Sequence, residues 1–316
     1  MRETPTPRSL FVVGAARSGT TLLRLMLGAH PHVHGGPEDQ LALLHLARWH
    51  RIDSSVRRLV HELWAFHTAS GPLVTVWGLE GRREDLTRRM VGRLAAEVLR
   101  AVVRPGTTVG IGDGAFVSVT ADALEESATP VAITVVPLCG GFWTTGHELE
   151  PYRRVGEALG GQVRGLMAPG LVDDAATRSA LVAHAGIQAI AEFWERLDVA
   201  LFGIGGPAWS VSLVGETIER QLEAAEAVGE VLVAPFDLDG RFVCPALRDR
   251  VIAFDARRLG RVPTAIGVAA GEGKVRPILG ALRAGIVQTL VTDVATAEAV
   301  VALDEATLAL HSGRPR

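Results

Sequence analysis

The chain has 316 residues, of which 48% are hydrophobic and 21% charged, with a net charge of −3. That balance can fill an apolar core and excludes wholesale disorder, and the length predicts two domains or one large α/β domain with an appendage. No run of about 18 uncharged apolar residues occurs, so no transmembrane helix is expected, and no long basic run marks a polyanion partner.

Ser9 to Val13 reads as a buried strand that runs into Gly14-Ala-Ala-Arg-Ser-Gly-Thr-Thr21 and then a helical pattern, Leu22 to Ala29. A strand, a glycine loop and a hydroxyl-capped helix make an anion cradle of the P-loop kind. Arg17 sits where a loop cation can face a phosphate. Thr20 and Thr21 can cap the helix and bond phosphate oxygens. With His30-Pro31 and Glu38 after it, this stretch resembles the start of a bacterial sulfotransferase over about residues 9–40. The resemblance implies that Gly14, Arg17, Ser18, Gly19, Thr20 and Thr21 hold the phosphosulfate of the donor PAPS. The family's second anchor, an Arg with a Ser several residues on for the 3′-phosphate, has no convincing match. The other reading is a fused fragment that folds as one more βα unit.

Residues 38–67 are helical in pattern, broken at Ile52-Asp-Ser-Ser55. The two helices are a packed hairpin or a degraded helix-turn-helix. His30, His32 and His34 lie in a Gly/Pro loop without Cys or carboxylates at ligand spacing, so they are read as loop and no metal is expected. Arg17 and Arg24 interrupt the first apolar stretch, as a signal peptide would not allow. Cys139 and Cys244 lie far apart with no ligand spacing around them, which fits reduced thiols. Together these features predict a cytoplasmic protein. Ala69-Ser-Gly-Pro72 divides an N-terminal appendage (1–70) from the main domain (71–316).

Beyond that boundary strands and helices alternate. Strands are predicted at 73–77, 107–111, 131–136, 162–167, 198–202, 228–233, 264–269 and 287–291. Helices are predicted at 84–103, after the turn 112–118 to about 126, at 152–159, 174–196, 215–227 and from 275. Phe236-Asp-Leu-Asp-Gly240 is a hairpin turn signal. Repeated βα alternation implies a mostly parallel, Rossmann-like sheet with helices on both faces. Glycine turns follow the strands at 107–111, 131–136, 198–202 and 264–269, where ligands of such sheets bind. The last turn, Gly271-Glu-Gly-Lys274, carries the one lysine of the chain; every other basic side chain is arginine. A compact ammonium at a glycine turn and helix start is suited to an anion.

Five blocks then appear in order: Thr107–Gly112, Val135–Gly141, Leu197–Gly205, Phe236–Gly240, and Gly271–Lys274 with Leu290–Ala297. Over about residues 73–305 the chain resembles the effector domain of SorC-type sugar-binding transcriptional regulators. The resemblance implies a fold related to glucosamine-6-phosphate deaminase, ribose-5-phosphate isomerase and CoA transferases. It implies a phosphorylated sugar effector and a homo-oligomer whose assembly and operator affinity respond to it; it does not imply turnover, and no cofactor is expected. Carried onto this chain, the phosphate meets the turn at Gly112, Asp113 and Gly114 and the ammonium of Lys274 beside Gly271. Sugar hydroxyls meet Gly140 and Gly141, Gly203 and Gly205, and the acid Asp237.

Two departures stand out. Ala115 and Phe116 occupy the place where the family supplies a Thr, and Asp113 puts a carboxylate at a phosphate turn, where like charge repels. The family's N-terminal DNA-binding helices are unrecognisable here, so a DNA partner has no clear motif to support it. A sensor of phospho-sugars is the reading these residues favour. The alternative is a PAPS-dependent sulfotransferase, or a remnant of one fused to the sugar-binding domain; an isomerase or deaminase ranks last, since no base is evident at a turn.

Overall fold

A computed structural model describes residues 73–77, 84–125, 130–141, 151–206 and 214–312. Seven strands, β1 (Leu73–Trp77), β2 (Thr108–Ile111), β3 (Thr134–Pro137), β4 (Gln162–Val163), β5 (Val199–Gly203), β8 (Thr264–Val268) and β9 (Thr289–Asp293), form one sheet in the order β1-β9-β8-β5-β2-β3-β4. Every neighbouring pair is parallel. A separate antiparallel ribbon joins β6 (Gly229–Val231) to β7 (Ala234–Phe236).

Helices cover both faces, as a parallel sheet requires. On one face lie α1 (Glu84–Val102), α2 (Ala115–Glu125) and α3 (Pro151–Ala158). Val91, Leu94, Ala95, Val98 and Leu99 recur at three-to-four spacing in α1 and are buried against Val109, Ile111, Val199, Leu201 and Val268 of the strands. Arg100, in the last turn of α1, donates to the carbonyls of Ala123 and Leu124 at the end of α2. On the other face α8 (Val275–Arg283) and α9 (Val294–Ser312) pack with a 3-10 turn at Ala256–Arg261 around Phe202, Phe236, Ile278 and Leu279. Residues 199 and 201 of β5 face one core and 200 and 202 the other, which is the two-residue period of a strand.

Helices α4 (Ala175–Val182), α5 (Ala185–Trp194), α6 (Glu216–Ala224) and α7 (Pro245–Arg248) complete the described elements. The expected single helix over 174–196 is two. Asp174 caps the first, accepting from the Thr177 N–H at 2.8 Å. His184 then adopts an extended backbone, and its Nδ1 accepts from the Gly186 N–H at 3.1 Å to cap the second. The strand expected over 162–167 stops at Val163, and Leu166 turns away into a small cluster with Val172, Ile187, Ile190 and Ile252. The strand expected over 228–233 ends at Val231, because Leu232 and Val233 take left-handed backbone angles (φ 53° and 61°) and reverse the chain into β7. The turn signal at 236–240 also holds: Phe236 and Phe242 bridge across it. The last strand is shifted to Thr289–Asp293, so Asp293 ends it rather than following it.

Candidate functional site

The strand order reverses at β2. The chain runs outward through β3 and β4, then returns to the other side of β2 as β5, β8 and β9. Such a reversal leaves a crevice beyond the carboxyl ends of the strands, because successive loops diverge there. Here it is a cleft of about 1100 Å³. Its walls are the loop after β2 (residues 113–116), the loop after β5 (203–206), the turn after β8 (270–275) and the junction of β9 with α9. Thr87 and Arg88 of α1 and Glu230 of β6 close it.

Three of these loops run directly into a helical start: α2, the 3-10 turn Glu272–Lys274 that leads into α8, and α9. First-turn N–H groups lack helical partners and favour anions. Two turns need left-handed backbone, Gly114 (φ 116°) and Gly271 (φ 102°), which glycine adopts without a side-chain penalty. The Gly271 N–H donates to Thr296 Oγ1 at 2.7 Å and to Asp293 Oδ2 at 3.2 Å. Asp293 Oδ1 accepts from the Thr296 N–H at 3.0 Å. One buried carboxylate thus caps α9 and ties the turn after β8 to it.

Lys274 is half-buried in this cleft. Its Nζ lies above the floor at Gly206, where a β-carbon would be 3.7 Å away. Among the described residues its ammonium has no hydrogen bond and no ion pair. Burial pushes Lys274 below the ordinary lysine value; the attraction of Glu230 opposes this and Arg88 adds to it. Glu230 stands on the other side of the same floor. Its backbone pairs with Gly205 in both directions, at 2.9 and 3.2 Å. Its Oε2 accepts from the Val233 N–H at 2.7 Å, and a β-carbon on Gly205 would collide with Oε1. Burial pushes the Glu230 carboxyl up; the Val233 bond and Lys274 act against that, and Asp113 adds to it. For both groups the loss of water outweighs their mutual attraction.

The cleft brings together Asp113, Gly114, Gly203, Gly205, Gly271 and Lys274 from the expected set. Gly112 does not line it. Its N–H makes the last rung to the Leu201 carbonyl, and its α-carbon packs on Phe202 and Leu232. Gly140 and Gly141 also fall outside, because β3 lies beyond β2, away from β5. Their backbone is sewn to Ile252 and Ala168, and a β-carbon on Gly140 would sit 2.5 Å from the Pro169 carbonyl oxygen. Asp237 lies outside as well; its Oδ1 accepts from the Arg241 N–H at 2.8 Å and closes a turn beneath α8. The loop at Gly14, Arg17, Ser18, Gly19, Thr20 and Thr21, and the helices expected over 38–67, lie outside the described residues. Arg88, Glu230, Asp293 and Thr296 were not predicted. Asp293 and Thr296 stood in a quoted block, and an Asp-x-x-Thr at a strand end is a capping signal. Glu230 carries no local signal, since only the turn at 232–233 aims it at the cleft.

Residues 74–302 match the family described as "Putative sugar-binding domain". Residues 7–105 match the sulfotransferase family. The sorbitol operon regulator of Klebsiella pneumoniae is 27% identical over 232 residues, 69% of this chain and 72% of that protein. The deoxyribonucleoside regulator of Bacillus subtilis is 27% identical over 219 residues, 67% of this chain and 69% of that protein. Among solved structures, the probable sor operon regulator of Shigella flexneri superposes with a TM-score of 0.69 at 26% identity, covering 76% of this chain and 99% of that one. The full-length sorbitol operon regulator of Klebsiella pneumoniae has the same fold, with a TM-score of 0.68 at 24% identity and coverage of 76% and 81%.

Proposed function

Since the chain belongs to the family of sugar-binding domains carried by SorC-type transcriptional regulators, we propose that the cleft beyond β2, β5, β8 and β9 binds a phosphorylated sugar as a regulatory effector. The observation that carries this is Lys274: a half-buried ammonium with no hydrogen bond or ion pair among the described residues, facing a cleft rimmed by helical starts. A phosphate there would gain a charge-assisted contact and free backbone donors. The backbone of Gly206 and the Glu230 carboxyl offer polar partners for sugar hydroxyls. The site binds and does not turn over its ligand. Its occupancy changes oligomeric state and, through it, operator affinity, although no DNA-binding part is recognisable in the sequence. The two cysteines, both buried and in no disulfide among the described residues, fit the reducing cytoplasm where such a sensor works.

Calorimetry of the full chain against a panel of sugar phosphates tests this. Saturable binding is expected, and Lys274→Ala should weaken it by about 1.5–3 kcal/mol, roughly tenfold to a hundredfold and beyond. A folded protein that binds none of the panel would overturn the reading. The match at residues 7–105 favours one other reading, a sulfotransferase or a fused remnant of one. The same titration with 3′,5′-adenosine bisphosphate separates the two, because only that reading expects it to bind.

A further inference from the structure

The cleft carries apolar lining that a phosphate does not use. Phe116, Ile204, Ala270, Val275, Ala295 and Ala299 stand in it beside the polar groups described above. Phe116 is the one aromatic residue among the described lining residues. It is half-buried, and it packs with Ala270 against the core beneath α1 and α2. Its remaining surface opens onto the cleft.

Phe116 is also held firmly. It is the second residue of α2, and its carbonyl accepts from Thr120 Oγ1 at 2.7 Å. Val117, next in the chain, is fully buried. Helix α2 lies so close to α1 that a β-carbon on Gly92 would sit 2.7 Å from Val119 Cγ2. The start of α2 abuts the loop after β5: a β-carbon on Gly203 would be 3.4 Å from the Asp113 carbonyl oxygen and 3.9 Å from Val117 Cγ2. That same loop continues to the floor at Gly206, beneath Lys274. An aromatic ring carried on a fixed helix start gives up little freedom when a ligand arrives.

We propose that Phe116 is a specificity residue: its ring stacks on one face of a cyclic sugar whose phosphate sits at Lys274, so the effector is a ring-closed aldose phosphate and not an open-chain one. A pyranose or furanose presents several carbon-bound hydrogens together on one face, and an aromatic ring offers them its electron-rich face. An open-chain sugar alcohol has no such face and must freeze several torsions to lie flat. The charged contact fixes orientation and the apolar lining supplies contact area, as in most clefts for small molecules. This deepens the effector reading and rests on it.

The test is calorimetry of the full chain with glucose 6-phosphate against glucitol 6-phosphate, galactose 6-phosphate against galactitol 6-phosphate, and ribose 5-phosphate against ribitol 5-phosphate. Each pair shares its phosphate and its carbon skeleton and differs in the ring. The native protein should prefer the cyclic partner of at least one pair by about fivefold or more. Phe116→Leu, with its fold checked by thermal denaturation, keeps apolar bulk without a flat ring and should cut that preference by about threefold or more, whereas Phe116→Tyr should keep it. Proton NMR of the native protein with the preferred sugar phosphate gives a readout that needs no variant: the carbon-bound protons of the bound sugar should move upfield in the ring current of Phe116. No cyclic preference in any pair, a preference that Phe116→Leu leaves unchanged, or bound protons without an upfield shift overturns the inference while leaving the effector reading standing. Binding of none of the six compounds overturns it too, and the effector reading falls with it only when the wider panel of sugar phosphates also fails to bind.

Discussion

Lys274 and Glu230 each lose water on entering the cleft, and neither recovers it from the other. The consequence appears in pH dependence. Lys274 is held below the ordinary lysine value of 10.5, so the folded chain releases that proton before the unfolded chain does. Its contribution to stability is therefore present above 10.5 and lost as pH falls through the lowered value. Ligand binding runs the opposite way, because a phosphate needs the charged ammonium. Sugar phosphate affinity should fall by up to about tenfold per pH unit as pH rises past the lowered lysine value. Calorimetry at stepped pH would check this, and Lys274→Arg, with a guanidinium that stays charged, should abolish the fall. Glu230 contributes with the other sign. Its carboxyl is pushed above the ordinary carboxylate value of 4.5, so that stability is full below 4.5 and lost as pH rises through the raised value.

The elements around the site depend on one another through short side chains at strand ends. Asp293 is the clearest case: it ends β9, caps α9 and receives the N–H of Gly271 from the turn after β8. Asp293→Ala removes the acceptor of the Gly271 N–H and of both the N–H and the hydroxyl of Thr296, and should cost about 1–3 kcal/mol of stability, read by urea denaturation. It should also weaken sugar phosphate binding while Lys274 is still present, because the turn that carries Lys274 loses its anchor. The types and order of most elements were legible in the sequence, since apolar runs at strand positions and three-to-four spacing in helices are local properties. Elements failed to match where a contact distant in sequence decided them. The break at His184 is one, because Ile187 and Ile190 must reach the cluster around Leu166 and Ile252. The turn at Leu232 and Val233 is another: neither residue type announces a left-handed turn, and burial of Leu232 beside Phe202 and Phe236 enforces it.

At the scale of the molecule, one sheet separates two apolar cores, and its edge is completed by β1, which pairs along its length with β9. The domain therefore includes residues 73–77. A chain of residues 71–316 should fold cooperatively and bind sugar phosphate as the full chain does. One that begins at 84 should lose stability, because β9 then becomes an unpaired edge beside the cleft. Far-ultraviolet circular dichroism through thermal unfolding, with calorimetry, checks both.

The sequence alone determined the α/β class, the glycine turns at strand ends and the lone lysine among arginines, because each is written in neighbouring residues. Tertiary structure decided which turns share a cleft. The turn after β3 resembles those after β2 and β5, yet strand order carries it to the far side, where its glycines serve close backbone packing. It also decided the electrostatics. Glu230 becomes part of the site only when β6 pairs with Gly205, and whether a charge stays unneutralised depends on burial and on neighbours that the linear chain does not place side by side.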